Sequence, residues 1–354
     1  MDFRVLSDSL RNTAAVVETN LNRLVGRTFV PTRPGMLHIE TCSTCNLDCC
    51  FCAYGKKESP KLAMSDALFA KCIAEATTMG FRRFEMTPCT GDVFMDRRLL
   101  DRLEALDANP GVETYEFFTN FTIPRERDIE RLLQLKKLRR LTISIYGHDA
   151  ASFCAITNGT EKLYRRLLHN LDLLHRRLAD KTFELEFGWR STRDAPSAPP
   201  SDVSERLARF ERDGIDVRRS HGLYNNWGGL ITKADTRGLP LDVRGSDAIY
   251  KNGACALLFT TVQVMATGIV NGCACRDVNA TLRIGDLNKQ PLAEIVTPRN
   301  PAYMALIEEQ ERGAFRPICK SCDFYKSIYR MRRKYGDADY VLQTLDDFRG
   351  RGAA

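Results

Sequence analysis

The sequence predicts an α/β protein whose larger part is a partial (β/α)6 TIM-like barrel. Short runs rich in β-branched and aromatic residues recur along the chain, and helical patterns separate them. Beyond about residue 235 this alternation gives way to turns and short strands, which predicts a small C-terminal α+β domain. Strands that alternate with helices form a parallel sheet, and right-handed crossovers curl such a sheet into a barrel.

Six strands and the helices between them account for the barrel. We predict strands at 36–40, 81–87, 114–120, 138–147 and 182–190, and a less regular one at 215–226. A helix between the strands at 138–147 and 182–190 is predicted from apolar residues three and four apart, Leu163, Leu167, Leu171 and Leu174. In such folds chemistry gathers where the strands end.

Four segments follow from these patterns. We predict an N-terminal helical extension at 1–35, the barrel core at 36–240, the small domain at 241–330 and a basic tail at 331–354. The run YRMRRKYG at 329–336 is the densest basic stretch, and we interpret it as a solvated helix face. The other basic residues are dispersed although the net charge is +7, so nucleic acid is not an expected partner.

The location follows from what the chain lacks and from its cysteines. The N-terminus has no basic-then-apolar secretory pattern, and no apolar run reaches the roughly 18 residues of a membrane span. We therefore expect a cytoplasmic protein without membrane contact. Thiols stay reduced in that compartment, so 13 cysteines indicate metal binding or catalysis rather than disulfides.

Five cysteines lie in the stretch TCSTCNLDCCFCAY at 41–54. Two CxxC pairs raise the possibility of zinc, but zinc sites usually separate such pairs by a dozen or more residues, and here only three intervene. The alternative is the CxxxCxxC array of Cys45, Cys49 and Cys52. Three thiolates can hold three irons of a [4Fe–4S] cube and leave the fourth iron open to another ligand.

This stretch resembles the signature of the radical S-adenosylmethionine (radical SAM) superfamily. HIETCSTCNLDCCFCAY has CxxxCxxC after the first strand and an aromatic residue just before the last cysteine. The resemblance implies that Cys45, Cys49 and Cys52 ligate a [4Fe–4S] cluster and that Phe51 packs beside the adenine of S-adenosylmethionine. The methionine amine and carboxylate would chelate the open iron. Cys42 lies outside this pattern.

Further residues for S-adenosylmethionine follow from the same resemblance. Thr90, Gly91 and Asp92, in MTPCTGDVF, stand where the family has a GGE-like turn that meets the methionine amine. The segment ISIYGHDAASFCAITNG resembles the family's fourth strand. The remaining predicted contacts end successive strands and comprise Asn120, Ser144 for the ribose or carboxylate end, and Arg190 for the methionine carboxylate.

A second cysteine group lies in the C-terminal region. Twelve residues separate Cys255 from Gly268, four separate Gly268 from Cys273, and a CxxC formed by Cys319 and Cys322 follows. This resembles the start of the SPASM extension of radical SAM enzymes. No cysteine follows Cys322, so it resembles the shortened version, the twitch domain, with one auxiliary [4Fe–4S] cluster.

Two alternatives stay open for this second group. Four cysteines also suit structural zinc, and Cys275 could replace Cys273 as a ligand. A cluster whose irons are all held by protein thiolates is suited to electron transfer rather than to binding a substrate. Together the resemblances cover roughly residues 36–330.

The resemblance implies reductive cleavage of S-adenosylmethionine and removal of a hydrogen atom from a substrate. We expect a small polar metabolite, such as a sugar, aminocyclitol or nucleotide-linked compound, and a one-electron reductant such as flavodoxin or ferredoxin. Loss of an electron to the auxiliary cluster would give oxidation. Return of a hydrogen atom from a thiol would give epimerisation, with Cys50, Cys89, Cys154 and Cys275 as candidate donors. The alternatives are modification of a ribosomally made peptide and, more remotely, a zinc-binding nucleic-acid interaction protein.

Overall fold

A nine-stranded sheet organises the protein in the computed structural model, which describes residues 3–32, 35–247, 249–332 and 341–353. The strands of the described residues are β1 (Val30–Pro31), β2 (Leu37–Ile39), β3 (Arg83–Glu85), β4 (Thr114–Thr119), β5 (Leu138–Tyr146), β6 (Glu184–Ser191), β7 (Asp216–His221), β8 (Leu223–Tyr224), β9 (Asp242–Val243), β10 (Gln263–Val264), β11 (Ile269–Asn271), β12 (Arg283–Asp286) and β13 (Leu342–Gln343). The nine-stranded sheet consists of β2 to β7 and β10 to β12, whereas β1 pairs with β13 and β8 with β9.

Helices follow most strands of the barrel. They are α1 (Phe3–Leu24), α2 (Asp66–Thr78), α3 (Leu99–Ala108), α4 (Glu126–Leu133), α5 (Ala150–Thr157), α6 (Glu161–Arg176), α7 (Asp202–Arg212), α8 (Leu257–Thr260), α9 (Leu292–Ile295), α10 (Pro301–Glu311), α11 (Pro317–Ser321) and α12 (Leu345–Ala353). Side-chain caps begin two of the predicted helices, because Ser65 accepts from the Leu68 amide and Thr160 from the Leu163 amide.

The strand order confirms the predicted partial barrel. Strands β2 to β7 are neighbours in chain order, and every adjacent pair among them is parallel. In β5, Leu141, Ile143 and Ile145 share one face and are fully buried, and Thr142 and Ser144 on the other face are buried as well, so both faces of the strand are covered. The carboxyl ends of these strands therefore meet at one mouth, where the candidate site is expected.

The C-terminal region continues the same sheet. Strand β10 pairs in parallel with β2, with Val264 opposite Ile39, and β11 and β12 follow it in antiparallel order. The small predicted domain is thus joined to the first barrel strand by backbone hydrogen bonds. This pairing places the second cysteine group beside the strand that leads into the first.

Two details of the sequence prediction were wrong. The strand predicted at 215–226 is two strands, because Gly222 breaks it with φ +76° and with the Arg193 side chain only 2.8 Å from the place of a Cβ. In the basic run at 329–336, residues 329–332 are a turn and irregular chain rather than a helix, and Tyr329 is buried. Residues 333–336 of that run lie outside the described residues.

The predicted domain boundaries remain predictions, although α1 agrees with a helical N-terminal extension. Strand β1 pairs antiparallel with β13, so residues of the extension and of the predicted tail lie side by side. Among the described residues, none of the helices combines the length and apolar character needed to cross a membrane.

Candidate active site at the mouth of the barrel

A cysteine loop follows β2 and forms the centre of the candidate site. Cys45, Cys49 and Cys52 line one cavity of about 240 Å³, which we call the three-cysteine cavity. Cys49 is buried, and the other two thiols are half-buried. The structure therefore brings together the three thiols that the sequence predicted as ligands of one cluster.

Backbone hydrogen bonds to the end of α5 hold this loop. The amide of Asp48 donates to the Thr157 carbonyl, and the amide of Cys50 donates to the Ile156 carbonyl, each over 2.9 Å. The segment at 143–159, which the sequence singled out for its resemblance to the family's fourth strand, thus supports the cysteine loop directly.

Burial disfavours the ionised form of these three thiols. It raises the pKa of Cys45 to about 12 and that of Cys52 to about 11. The pKa of Cys49 is also raised, first by burial and then by the neighbouring thiols. Thiolates gathered in such surroundings need positive charge beside them, and the irons of a [4Fe–4S] cluster supply it. The donor set therefore fits the cluster.

The turn after β3 forms one wall of the cavity with Thr90, Gly91 and Asp92. Gly91 has φ +138°, and a Cβ there would lie 2.9 Å from the Thr44 carbonyl oxygen and 3.1 Å from that of Cys42. Only glycine lets the turn approach the cysteine loop this closely. The Asp92 amide donates to the same Thr44 carbonyl over 2.9 Å and fixes the contact.

The carboxylate of Asp92 joins this turn to the end of β4. It is buried, and it accepts hydrogen bonds from the amides of Asn120 and Phe94, over 2.7 and 3.0 Å, and from the Thr119 hydroxyl. Burial raises the pKa of Asp92. The Asn120 side chain donates in turn to Asn46 of the cysteine loop over 3.0 Å. Asp92 and Asn120 therefore hold the cavity wall as well as lining it.

The opposite wall comes from β5, β6 and two aromatic rings. The Phe51 ring stacks on Tyr224 with 4.6 Å between centroids, and it lies 5.2 Å from the Tyr146 ring. Tyr146 is the register partner of Arg190 across the two strands. The sequence-predicted cofactor residues that line the three-cysteine cavity are Phe51, Thr90, Gly91, Asp92, Asn120, Ser144 and Arg190.

Sequence reasoning missed the three tyrosines of this cavity, Tyr54, Tyr146 and Tyr224. Tyr146 lies two residues after Ser144 on β5, and side chains two apart on a strand share a face, so the alternation could have identified it. Tyr224 is in the short strand after the break at Gly222. That break could not be read from the residue pattern.

Two further cavity residues, Trp227 and Arg276, come from loops that are distant in the chain. The Trp227 indole N–H donates to the Phe51 carbonyl over 2.8 Å. The Arg276 guanidinium lies 5.6 Å from the centre of the Trp227 ring and 4.9 Å from that of Phe324, and its Nε is 3.4 Å from Asp323. No sequence spacing relates these positions, because tertiary packing alone brings them together.

The structure separates the four candidate hydrogen donors. Cys89 is buried and is among the residues that line the three-cysteine cavity, whereas Cys50, Cys154 and Cys275 are not among them. Burial raises the pKa of Cys89, so its thiol keeps its hydrogen at neutral pH. Of the four cysteines, Cys89 alone combines a protonated thiol with access to this cavity.

The second cysteine group also converges. Cys255, Cys273, Cys319 and Cys322 line one small pocket of about 30 Å³, which we call the four-cysteine pocket. The other lining residues are mostly apolar: Leu257, Leu258, Leu282, Gln310 and Tyr325. All four predicted auxiliary ligands therefore line one pocket.

The structure explains why the predicted Gx4C spacing begins with a glycine, Gly268. Gly268 has φ +89°, and a Cβ there would lie 2.2 Å from the Asn288 side-chain nitrogen. This tight turn joins β10 to β11 and delivers Cys273 to the four-cysteine pocket. Cys275 is not among the residues that line it, which favours Cys273 as the ligand.

The arrangement of the thiols also bears on whether they bind a single metal ion, such as zinc, or a cluster. Within the described ranges, no group of three or more His, Cys, Asp or Glu side chains is arranged to hold one metal ion. A zinc ion draws its cysteine ligands together at about 2.3 Å from one centre, whereas a [4Fe–4S] cube binds each thiolate at a separate iron.

A buried lysine ties the two cysteine sites together. Lys57, just beyond the cysteine loop, donates from its Nζ to the Val278 carbonyl over 3.0 Å and lies 3.8 Å from the Glu40 carboxylate. The Glu58 amide donates to the Asn279 side chain over 2.9 Å. The loop of the first site is therefore anchored on the region that carries Cys273.

One family model matches the C-terminal region. The SPASM model, described as an iron–sulfur cluster-binding domain, matches residues 255–323. This range begins at Cys255 and includes all four cysteines of the four-cysteine pocket. It confirms the predicted SPASM-type region, a type of domain that binds iron–sulfur clusters. No curated protein sequence matches the chain significantly.

Solved structures share the fold at low sequence identity. BtrN in complex with AdoMet and 2-DOIA is 16% identical with a TM-score of 0.53, and the match covers 84% of this chain and 96% of BtrN. SuiB of Streptococcus suis bound to precursor peptide SuiA is 13% identical with a TM-score of 0.56, covering 92% of this chain and 77% of SuiB. Native anSMEcpe with bound AdoMet is 15% identical with a TM-score of 0.51, covering 90% and 95%. These structures confirm the predicted architecture, an α/β partial barrel followed by a small C-terminal region.

Proposed function

We propose that this protein is a radical SAM enzyme that binds a [4Fe–4S] cluster through Cys45, Cys49 and Cys52 and cleaves S-adenosylmethionine reductively. The observation that carries the proposal is the three-cysteine cavity, where these thiols meet the residues predicted to hold the nucleotide. When bound, the cluster supplies one electron to the sulfonium, and the products are methionine and a 5′-deoxyadenosyl radical that removes a hydrogen atom from the substrate.

The walls of the cavity offer complementary groups to each end of S-adenosylmethionine. The Phe51 ring, stacked on Tyr224, offers an apolar face to the adenine. The close approach of the Gly91 turn brings backbone groups and Asp92 towards the methionine ammonium, and Arg190 offers a guanidinium to its carboxylate. Ser144 lines the same cavity and is assigned to the ribose or carboxylate end. AdoMet is the ligand that BtrN and anSMEcpe hold.

The auxiliary site is assigned to electron transfer. Its four thiols would occupy all four irons of a cluster, so no iron is open to a substrate. The enzyme's one-electron reductant is assigned to the class of flavodoxin or ferredoxin. If the substrate radical gives an electron to this site the net reaction is an oxidation, whereas hydrogen return from the Cys89 thiol gives epimerisation.

A small polar metabolite is our first candidate substrate, and a ribosomally made peptide is the second. BtrN is in complex with 2-DOIA, and SuiB is bound to a precursor peptide. The match covers 96% of BtrN but only 77% of SuiB, so part of SuiB has no counterpart in this chain, and the order of the candidates rests on this difference.

Anaerobic reconstitution tests the proposed activity. The protein is loaded with iron and sulfide, reduced with dithionite and given S-adenosylmethionine, and 5′-deoxyadenosine is measured by mass spectrometry. Replacing Cys45, Cys49 and Cys52 with Ala should remove this product. The matched control replaces three cysteines outside both sites, Cys50→Ala, Cys72→Ala and Cys154→Ala. Iron-loaded parent protein that never yields 5′-deoxyadenosine would refute the proposal, as would stoichiometric zinc without iron.

A further inference from the structure

A single glutamine contacts two of the four cysteines in the four-cysteine pocket. Gln310 lies near the end of α10, is 3% exposed and lines the pocket. Its Oε1 accepts a hydrogen bond from the Cys255 amide over 2.8 Å. Its Nε2 donates to the Cys319 sulfur over 3.3 Å. One amide thus spans two ligands of the auxiliary site.

Chemistry fixes the orientation of this amide. A backbone N–H can only donate, so the Cys255 amide requires the oxygen of Gln310 on its side. The NH2 group must then face Cys319, and the usual ambiguity between amide oxygen and nitrogen is removed. The donor to the Cys319 sulfur is therefore set by the fold.

Backbone amides also donate to sulfurs of this pocket. The Cys275 amide donates to Cys273 over 3.4 Å, and the Phe324 amide donates to Cys322 over 3.2 Å. Backbone donors of this kind change little when a side chain is substituted. Gln310 differs because a single substitution can remove its donor.

We infer that Gln310 is a positioning residue that raises the reduction potential of the auxiliary cluster through its hydrogen bond to Cys319. A donor to a ligating sulfur withdraws negative charge from it and stabilises the reduced cluster. The leucines around the pocket strengthen this effect, because hydrogen bonds are electrostatically stronger in apolar surroundings. A higher potential makes this site a better electron acceptor, as the oxidation branch of the proposed function requires.

Redox titration followed by electron paramagnetic resonance tests this inference, which rests on the auxiliary cluster of the proposed function. The parent for the titration carries Cys45→Ala, Cys49→Ala and Cys52→Ala, so that its signal comes from the auxiliary cluster alone. Gln310→Glu keeps an acceptor for the Cys255 amide but loses the donor, and Gln310→Leu loses both. We expect a more negative midpoint potential in both variants.

Gln134→Glu is the matched control, because Gln134 is exposed and lies at the end of α4, outside the pocket. Its midpoint should equal that of the parent. Midpoints in both Gln310 variants that equal the parent's, with four irons still bound, would overturn the inference. A parent without iron at this site would instead refute the auxiliary cluster of the proposed function.

A measurement on the unsubstituted Gln310 covers variants that fail to fold or to bind iron. The same cysteine-substituted parent is labelled with 15N in its glutamine side chains, and the reduced cluster is examined by pulsed electron paramagnetic resonance. We expect coupling to one glutamine nitrogen and to a proton that exchanges in D2O. Absence of both couplings would overturn the inference without any variant of Gln310.

Discussion

The three-cysteine cavity and the four-cysteine pocket use the same ligand atom in opposite surroundings. The first has a volume of about 240 Å³ and polar walls that include Asp92, Asn120 and Arg190. The second has about 30 Å³ and walls made mostly of leucine side chains. The first site therefore has far more space beside its thiols than the second.

This difference teaches that ligand number and access decide the chemistry, rather than the identity of the ligand. Three thiolates on a cube leave an iron whose remaining positions can be taken by a sulfonium nucleotide, and the polar walls are placed to hold its charged groups. Four thiolates close the cube, and apolar walls then control only its potential. The two sites are therefore expected to respond differently to the same kind of substitution.

Cysteine removal at the second site gives the largest expected contrast. Cys319→Ala with Cys322→Ala should keep 5′-deoxyadenosine formation, because the three-cysteine cavity is untouched, and should abolish turnover of the true substrate. The iron content should fall by one cluster. The measurement is 5′-deoxyadenosine and iron per chain, beside the variant without Cys45, Cys49 and Cys52. Equal loss of cleavage in both folded variants would contradict separate roles.

Separate substitutions of Cys273 and Cys275, which are two residues apart, test which of them is a ligand at the second site. Cys273→Ala should lose the auxiliary cluster, since Cys273 lines the four-cysteine pocket, whereas Cys275→Ala should keep it. Iron analysis with Mössbauer spectroscopy measures both. The reverse result would assign the ligand to Cys275, which the sequence left open, and would show that the Gx4C spacing misleads here.

The sequence predicted the parts of the molecule that depend on local pattern. Strand alternation located the parallel strands, and the spacing of Cys45, Cys49 and Cys52 located the first site. It could not predict Arg276 or Gln310, because each reaches its site through packing between segments far apart in the chain. Single-residue geometry was also invisible, as at Gly222, where a left-handed residue divides a pattern that otherwise suits one strand.

Substitution of Gly91, in the wall of the three-cysteine cavity, should have the next-largest effect. Gly91→Ala places a Cβ 2.9 Å from the Thr44 carbonyl oxygen and should push the turn off the cysteine loop. We expect at least a tenfold loss of S-adenosylmethionine affinity, or about 1.4 kcal/mol, in anaerobic calorimetry.

Gly80→Ala is the matched control for this substitution. Gly80 also has positive φ, at +91°, but it has no neighbouring atoms within 4 Å of a Cβ. It should carry only backbone strain of about 1 kcal/mol and leave affinity unchanged. Unchanged affinity in Gly91→Ala would contradict the role of the turn in holding the nucleotide.

The smallest expected effect concerns the carboxyl of Glu85, which supports the three-cysteine cavity but not the four-cysteine pocket. Glu85 is buried on β3 and accepts from the amide and hydroxyl of Thr87, whose hydroxyl accepts in turn from the Phe118 amide at the cavity rim. Burial raises the pKa of Glu85 to about 7. Between pH 4.5 and pH 7 the folded chain therefore keeps a proton on Glu85. The unfolded chain, in which Glu85 has its ordinary pKa of 4.5, has already released that proton. Stability is therefore highest below pH 4.5 as far as this group is concerned, and it is lost as pH rises towards 7.

Replacing this carboxyl should remove that part of the pH dependence. The shift corresponds to about 3 kcal/mol at most, and Glu85→Gln keeps an acceptor for Thr87, so the Tm at pH 8 should rise by a few °C relative to the parent. The gain should shrink at pH 5, where the parent's carboxyl is protonated. Glu113→Gln, at an exposed position just before β4, serves as the control and should change neither value. Anaerobic thermal melts followed by circular dichroism measure all three proteins. A Tm gain of equal size at both pH values would mean that Glu85 destabilises the folded chain through its packing rather than through its charge. Ionisation of Glu85 would then not affect the stability of the wall of the three-cysteine cavity.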